Sequence, residues 1–234
     1  MATVLGVKAS AKNTTRSGIE KQVLDFSEKA IKNGWGCDDI PGPAPISKMD
    51  IESSIRHQGV PERIITTFTD NDEVKKTSAI KAVELFMKSE KGGWCLVLAG
   101  HKGCGKSTAA AHYLFEATKK CTPTSAPKDK RWWTAANVCR VSSYNKDLEN
   151  LMTLPVLIID DLGVEYMDKG GHFRHRLDEL LDARYSNFRK TIITTNLNKK
   201  DFEDRYGGRV TSRIREGFKD GGDYAVINDK SLRV

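Results

Sequence analysis

No apolar run in this 234-residue chain approaches the ~20 residues that a membrane-spanning helix needs. The five cysteines, Cys37, Cys95, Cys104, Cys121 and Cys139, are odd in number and scattered. No Cys-x-x-Cys pair and no histidine at ligand spacing accompanies them, which argues against a zinc site; reduced thiols in a cytoplasmic protein are the expectation. There is no internal repeat and no low-complexity tract. A hydrophobic content of 38% with 19 glycines excludes wholesale disorder and collagen-like or coiled-coil arrays. Acidic residues are missing before Glu20, where Lys8, Lys12 and Arg16 stand among serines and threonines in the manner of an organelle transit peptide. The apolar core of a secretory signal is absent too, and a solvated tail is the plainer reading.

Positive charge is in excess: 38 Lys+Arg stand against 31 Asp+Glu, a net +7. Residues 1 to 92 hold 14 basic and 13 acidic side chains, leaving 24 and 18 for residues 93 to 234. An anion-seeking surface is therefore expected in the second part. Lys119 to Arg140 contributes six basic residues against the single Asp129, with Trp132 and Trp133 adjacent. Such a surface suits single-stranded nucleic acid, although two tryptophans alternating on a strand put at least one of them in the core.

The length fits one large domain, or an ordinary one with an arm, able to bury roughly 70% of its unfolded surface. Ser17 as N-cap, Glu20 three residues on, the stripe Ile19, Val23, Phe26 and Ala30, and Gly34 as stop predict an amphipathic helix over 18 to 33. The segment Ile40 to Lys48 holds three of the seven prolines and reads as a linker, followed by a short helix and then Pro61. The expected division is a helical, partner-binding arm over 1–59 and a main domain over 60–234. A helix is expected over 73 to 89. From Gly93 strands and helices alternate, which predicts an α/β domain with a parallel sheet. The strands are expected at 94–99, 131–134, 156–160, 191–195 and 224–228, and the helices at 107–119, 135–151 with a break, 172–187 and, in two pieces, 199–216.

The run GHKGCGKS, Gly100 to Ser107, fits G-x-x-x-x-G-K-[ST] and lies between the apolar strand WCLVLA and the helix STAAAHYLFEATKK. Glycines let backbone amides turn around phosphates, the helix N-terminus favours negative charge, Lys106 reaches the β and γ phosphates, and the Ser107 hydroxyl ligates Mg²⁺. Gly100, His101, Lys102, Gly103, Cys104, Gly105, Lys106, Ser107 and Thr108 are the candidate nucleotide-binding residues. Cys104 reads as a tolerated small residue, with a redox-sensing thiolate as the alternative.

The run LPVLIIDDLG ends an apolar strand in Asp160 and Asp161. Beside a phosphate loop, Asp160 can hold the Mg²⁺ shell and Asp161 can orient the attacking water. Asn196, closing the strand IITTN, is placed to touch the γ-phosphate or that water. Arg209, Arg213 and Arg215 form a cationic cluster of the kind that stabilises a transferring phosphoryl group. Asp160 to Gly163 also fits D-x-x-G, and Asn198 to Asp201 fits N-K-x-D, as in a GTPase. Only 34 residues separate Gly163 from Asn198, room for one helix and one strand where a G-domain needs two of each, and NKKD reads as a helix start.

Together GHKGCGKS, LIIDDLG, IITTNL and GGRVTSRIREG resemble the DnaC/IstB family of AAA+ ATPases, over roughly residues 60 to 234. The resemblance implies an α/β P-loop NTPase of the AAA+ (ASCE) type, with a parallel five-stranded sheet, a small helical N-terminal region, and a minimal or absent lid. It implies ATP and Mg²⁺ as cofactors, Lys106 and Ser107 as Walker A, Asp160 and Asp161 as Walker B, and Asn196 as sensor I. Arg213 would be the finger offered to a neighbour and Arg233 a sensor II residue, while Arg209, from the cationic cluster, is a further candidate nucleotide-binding residue. The expected function is an ATP-hydrolysing loader that delivers a replicative hexameric helicase to single-stranded DNA, assembling as a homo-oligomer with ATP and binding no membrane. A transposase-assisting ATPase and an ATP-switched adaptor without DNA binding are the alternatives.

Overall fold

The computed structural model describes residues 44–69, 76–89, 93–141, 146–166, 171–216 and 224–231. The helix expected over 18 to 33, Cys37 and Arg233 lie outside the described residues. The chain divides into two units, Met1–Ala44 and Pro45–Val234. The second opens with three helices, α1 (Lys48–His57), α2 (Glu62–Thr69) and α3 (Ser78–Lys88). Strand β1 (Cys95–Gly100), helix α4 (Lys106–Lys119), strand β2 (Trp132–Thr134), and helices α5 (Ala135–Arg140) and α6 (Lys146–Thr153) follow. Then come β3 (Val156–Leu162), α7 (His172–Ser186), β4 (Lys190–Thr195), α8 (Lys199–Tyr206), α9 (Gly208–Glu216) and β5 (Tyr224–Ile227).

The strands form one sheet in the order β2-β3-β4-β1-β5, with every pairing parallel. Parallel neighbours need crossovers, which is why the helices cover both faces and the strands are apolar on both. Alternation along β1 divides the core: Leu96 and Leu98 pack with Ile55, Ile64, Ile80 and Phe86 of the first three helices. Cys95 and Val97 face the other way, against Leu148, Leu151, Phe173, Leu177 and Val210. Each of the five expected strands occurs, within two residues at either end, and the expected helix break separates α5 from α6.

The expected division at residue 59 is displaced. Helix α1 belongs to the main unit: Ser47 caps it by accepting from the Asp50 amide, Ile55 is fully buried, and the Ser54 hydroxyl donates to Pro127 O at 2.6 Å. Its one apolar stripe has found its partner in the core, so the compact unit starts inside the proline-rich segment. The NKKD sequence is a helix cap, Asn198 Oδ1 accepting from the Asp201 amide at 2.9 Å, as a helix start requires and a guanine-reading loop does not.

Arg184 of α7 is fully buried and has no carboxylate partner among the described residues. Its guanidinium donates to Thr191 Oγ1 (2.8 Å), Leu151 O (2.6 Å), Leu154 O (2.9 Å) and Lys190 O (2.7 Å), joining the end of α6 to the start of β4. Burial pulls its pKa down to about 9. Arg184→Met leaves three carbonyls unpaired in the core and is expected to cost about 3 kcal/mol, lowering Tm by about 6–12 °C in thermal unfolding. A change under ~2 °C would show that those acceptors find other donors.

Candidate nucleotide site

The loop from β1 to α4 turns through two left-handed glycines, Gly103 (φ 87°) and Gly105 (φ 88°), a conformation costly for other residues. Gly100 has a different constraint: a Cβ there would lie 2.4 Å from Ile227 O, so β5 packs against it directly. Helix α4 starts after Gly105 with no side-chain cap, leaving its first-turn amides to the loop's concave side.

Two side chains of the first turn are held by strand ends. Lys106, 5% exposed, donates to Gly100 O (2.9 Å), His101 O (2.9 Å) and Asn196 Oδ1 (3.0 Å). Ser107 Oγ donates to Asp160 Oδ1 at 2.8 Å, and Thr194 Oγ1 donates to the same oxygen at 2.7 Å. Asp160 is 3% exposed. Desolvation raises its pKa, helped by the neighbouring Asp161 charge, while the two hydroxyls and the Arg63 charge pull it back.

Asp161 follows at a register shift between Ile159 and Leu162, with φ 57°. Its amide donates to Thr194 Oγ1 at 2.9 Å, so one threonine ties the Asp160 carboxylate to the Asp161 backbone. Left-handed backbone is tolerated by Asp better than by longer acids, and the bulge turns the second carboxylate toward the cavity. That cavity, about 690 Å³, has three walls: Lys102, Gly103, Gly105, Lys106, Ser107 and Thr108 from the loop; Asp161, Val164 and Asn196 from the strand ends; and Arg63, Ile64, Thr67, Thr77 and Ile80 from α2 and α3.

Lys102, Gly103, Gly105, Lys106, Ser107, Thr108, Asp161 and Asn196 thus share one cavity, with Asp160 bonded beneath it. Other expected residues lie elsewhere. His101 is exposed, its ring bonded to Lys102 O, and Cys104 is buried with Sγ donating to His101 O at 3.0 Å, a packing role rather than an accessible thiol. Arg209 and Arg213 are absent from the cavity wall. Arg213, 13% exposed, bonds Asp178 (2.8 Å) and Asp182 (2.5 Å) on α7; Arg209, 67% exposed, lies 3.6 and 3.7 Å from the same carboxylates. Arg209, expected at the nucleotide, instead closes an ion-pair cluster between α7 and α9 in this chain.

The α2–α3 wall carries no motif and Thr194 looks like any strand threonine, whereas the Asp178/Asp182 pair matches Arg209/Arg213 at the same four-residue spacing, a signal present in the sequence.

Two glycine-turned loop segments, an uncapped helix start, and a hydroxyl and a buried carboxylate 2.8 Å apart, both hard oxygen ligands, fit a nucleoside triphosphate with a divalent cation. With the sheet order, these features define a P-loop NTPase fold of the AAA+ type. The fold is similar to three solved structures: the DnaC helicase loader (22% identity, 74% of this chain and 99% of that one, TM-score 0.52), DnaI (20%, 76% and 100%, 0.53) and a candidate primosome component from Streptococcus pyogenes serotype M3 (20%, 80% and 100%, 0.55). No protein-family model and no curated protein sequence matches the chain.

Because burial raises the Asp160 pKa, the folded chain keeps a proton there at pH values where the unfolded chain has lost it. That contribution favours the fold in acid and is lost as pH rises through the raised pKa. Asp160→Asn is expected to leave the ligand-free Tm at pH 8 unchanged or higher by roughly 1–4 °C, and to remove the Mg²⁺-dependent part of nucleotide binding. A Tm lower by several degrees would show that the charge itself stabilises the fold.

Proposed function

We propose that the chain is an ATP-hydrolysing helicase loader acting during replication initiation. The observation that carries this reading is the joined set Lys106–Asn196 and Ser107–Asp160, with Asp161 beside it, on a fold similar to that of the DnaC helicase loader. Bound Mg²⁺ would neutralise charge on the phosphates as the γ-phosphoryl group leaves. Lys106 would hold the β and γ phosphates in place of its carbonyl partners, and Ser107 with Asp160 would hold the cation. Asp161 orients the attacking water and takes its proton, while Asn196 holds the water or the γ-phosphate.

Arg213 is proposed as the finger for a neighbouring protomer in an ATP-dependent homo-oligomer. It stands outside its own cavity, and Asp178 and Asp182 hold its guanidinium in one place. The segment ahead of Pro45 is proposed to grip the hexameric helicase. Single-stranded DNA is proposed to meet the β2 edge, where Lys119 and Arg131 are paired with Glu116 and Asp129. Trp132 is buried, and Lys130 covers one face of the Trp133 ring at 4.3 Å, so binding there depends on charge more than on stacking. The cytoplasm is the compartment where these partners meet.

Lys106→Ala should abolish ATP binding, and Arg213→Ala should bind ATP without hydrolysing it. Mixed, they should regain phosphate release, because one supplies the finger and the other the intact pocket; no recovery in demonstrated mixed oligomers would overturn the shared site. Affinity for a single-stranded oligonucleotide should fall log-linearly with salt, and a salt-independent affinity would contradict charge-led binding.

A further inference from the structure

The α2 wall of the cavity carries an arginine that neither the phosphate loop nor the finger accounts for. Arg63 lines the cavity, is exposed, and has no hydrogen-bond or ion-pair partner for its guanidinium among the described residues. It differs in this from Arg205, Arg209 and Arg213, which lie off the cavity wall and are all committed to carboxylates. Of the two lysines on the same cavity, Lys106 is saturated by three oxygens.

Its place on the wall decides what it faces. Ile64, the next residue, is buried and lines the cavity with Ile80, so the apolar part of this wall suits a base or ribose. Arg63 shares the cavity with Lys106, Ser107, Asp161 and Asn196, the residues that would surround the last phosphate if Ser107 and Asp160 hold the cation. A permanently charged planar fork with unused donors is matched to the paired oxygens of a phosphate.

We infer that Arg63 is a cis-acting contact to the γ-phosphate, supplied by the same chain that holds the nucleotide, and that it makes the site prefer a nucleoside triphosphate over a diphosphate. The inference rests on the ATP-binding reading above. It gives helix α2 a direct view of the nucleotide state, since the residue that reads the phosphate and the residues that wall the base, Ile64 and Thr67, lie on one helix.

The test is equilibrium binding of ATP and ADP, each with Mg²⁺, to the full chain carrying Arg63→Ala or Arg63→Lys. Arg63→Ala is expected to weaken ATP about tenfold or more and ADP less than about threefold, the loss of one charge-assisted contact. Arg63→Lys should fall between, keeping the charge but losing the fork. Tm should stay within about 2 °C of the parent, because the guanidinium has no hydrogen-bond or ion-pair partner among the described residues. Equal weakening of ATP and ADP, or no weakening of either, would overturn the inference. If the parent chain binds neither nucleotide, it is the ATP-binding reading that fails.

Discussion

A carboxylate kept out of water organises this molecule. Asp160 ends the buried run of β3 and is anchored by a hydroxyl from the neighbouring strand and another from the helix after the phosphate loop. Those two bonds tie β3, β4 and α4 together at the carboxyl edge of the sheet, where the loop must be held for its amides to converge. Burying the charge without a cation is unfavourable, and the raised pKa reflects it. A divalent ion held there would remove that penalty, so the residue that destabilises the empty fold would favour the bound one.

Around this point the second carboxylate and its loop are held by other means. Asp161 takes a left-handed backbone at a bulge, and the loop beyond it is tied down by Glu165. That side chain is fully buried; it accepts from the Gly163 amide (2.6 Å), Arg205 Nε (3.0 Å) and the Tyr206 hydroxyl (2.6 Å). Burial and the adjacent carboxylate push the Tyr206 pKa up, so the phenol remains a donor. A network with every member satisfied is rigid. It fixes α8 to the loop after β3, and α8 leads directly into the helix bearing Arg209 and Arg213.

Much of this was legible in the sequence because the controlling interactions are local. Apolar strand, glycine loop, Lys-Ser and helix are contiguous, and alternation in WCLVLA and VLIIDDL reports strands covered on both faces. What was not legible depends on contacts distant in sequence. Arg63 joins the cavity from 37 positions ahead of Gly100, through helices that carry no signature of their own. Helix α1 was assigned to the arm because nothing in its spacing says which surface its stripe meets. Pairing of Arg213 within its own chain is an alternative the sequence allows, but the partners it and Arg209 meet, Asp178 and Asp182, lie a helix and a strand away, and their matching spacing is visible only once that pairing is sought.

The central claim is that Lys106 and Ser107 are held on strand-end oxygens which a magnesium-bound nucleotide then replaces. The most direct measurement is a crystal structure of the full chain with Mg²⁺ and a non-hydrolysable ATP analogue. The account predicts Lys106 Nζ on β and γ phosphate oxygens and off Gly100 O and His101 O, Ser107 Oγ moved from Asp160 to the cation, and the β3–β4 register unchanged. An analogue bound in the cavity while both the Lys106–Gly100 and Ser107–Asp160 bonds stay intact, or bound outside it, would contradict the account.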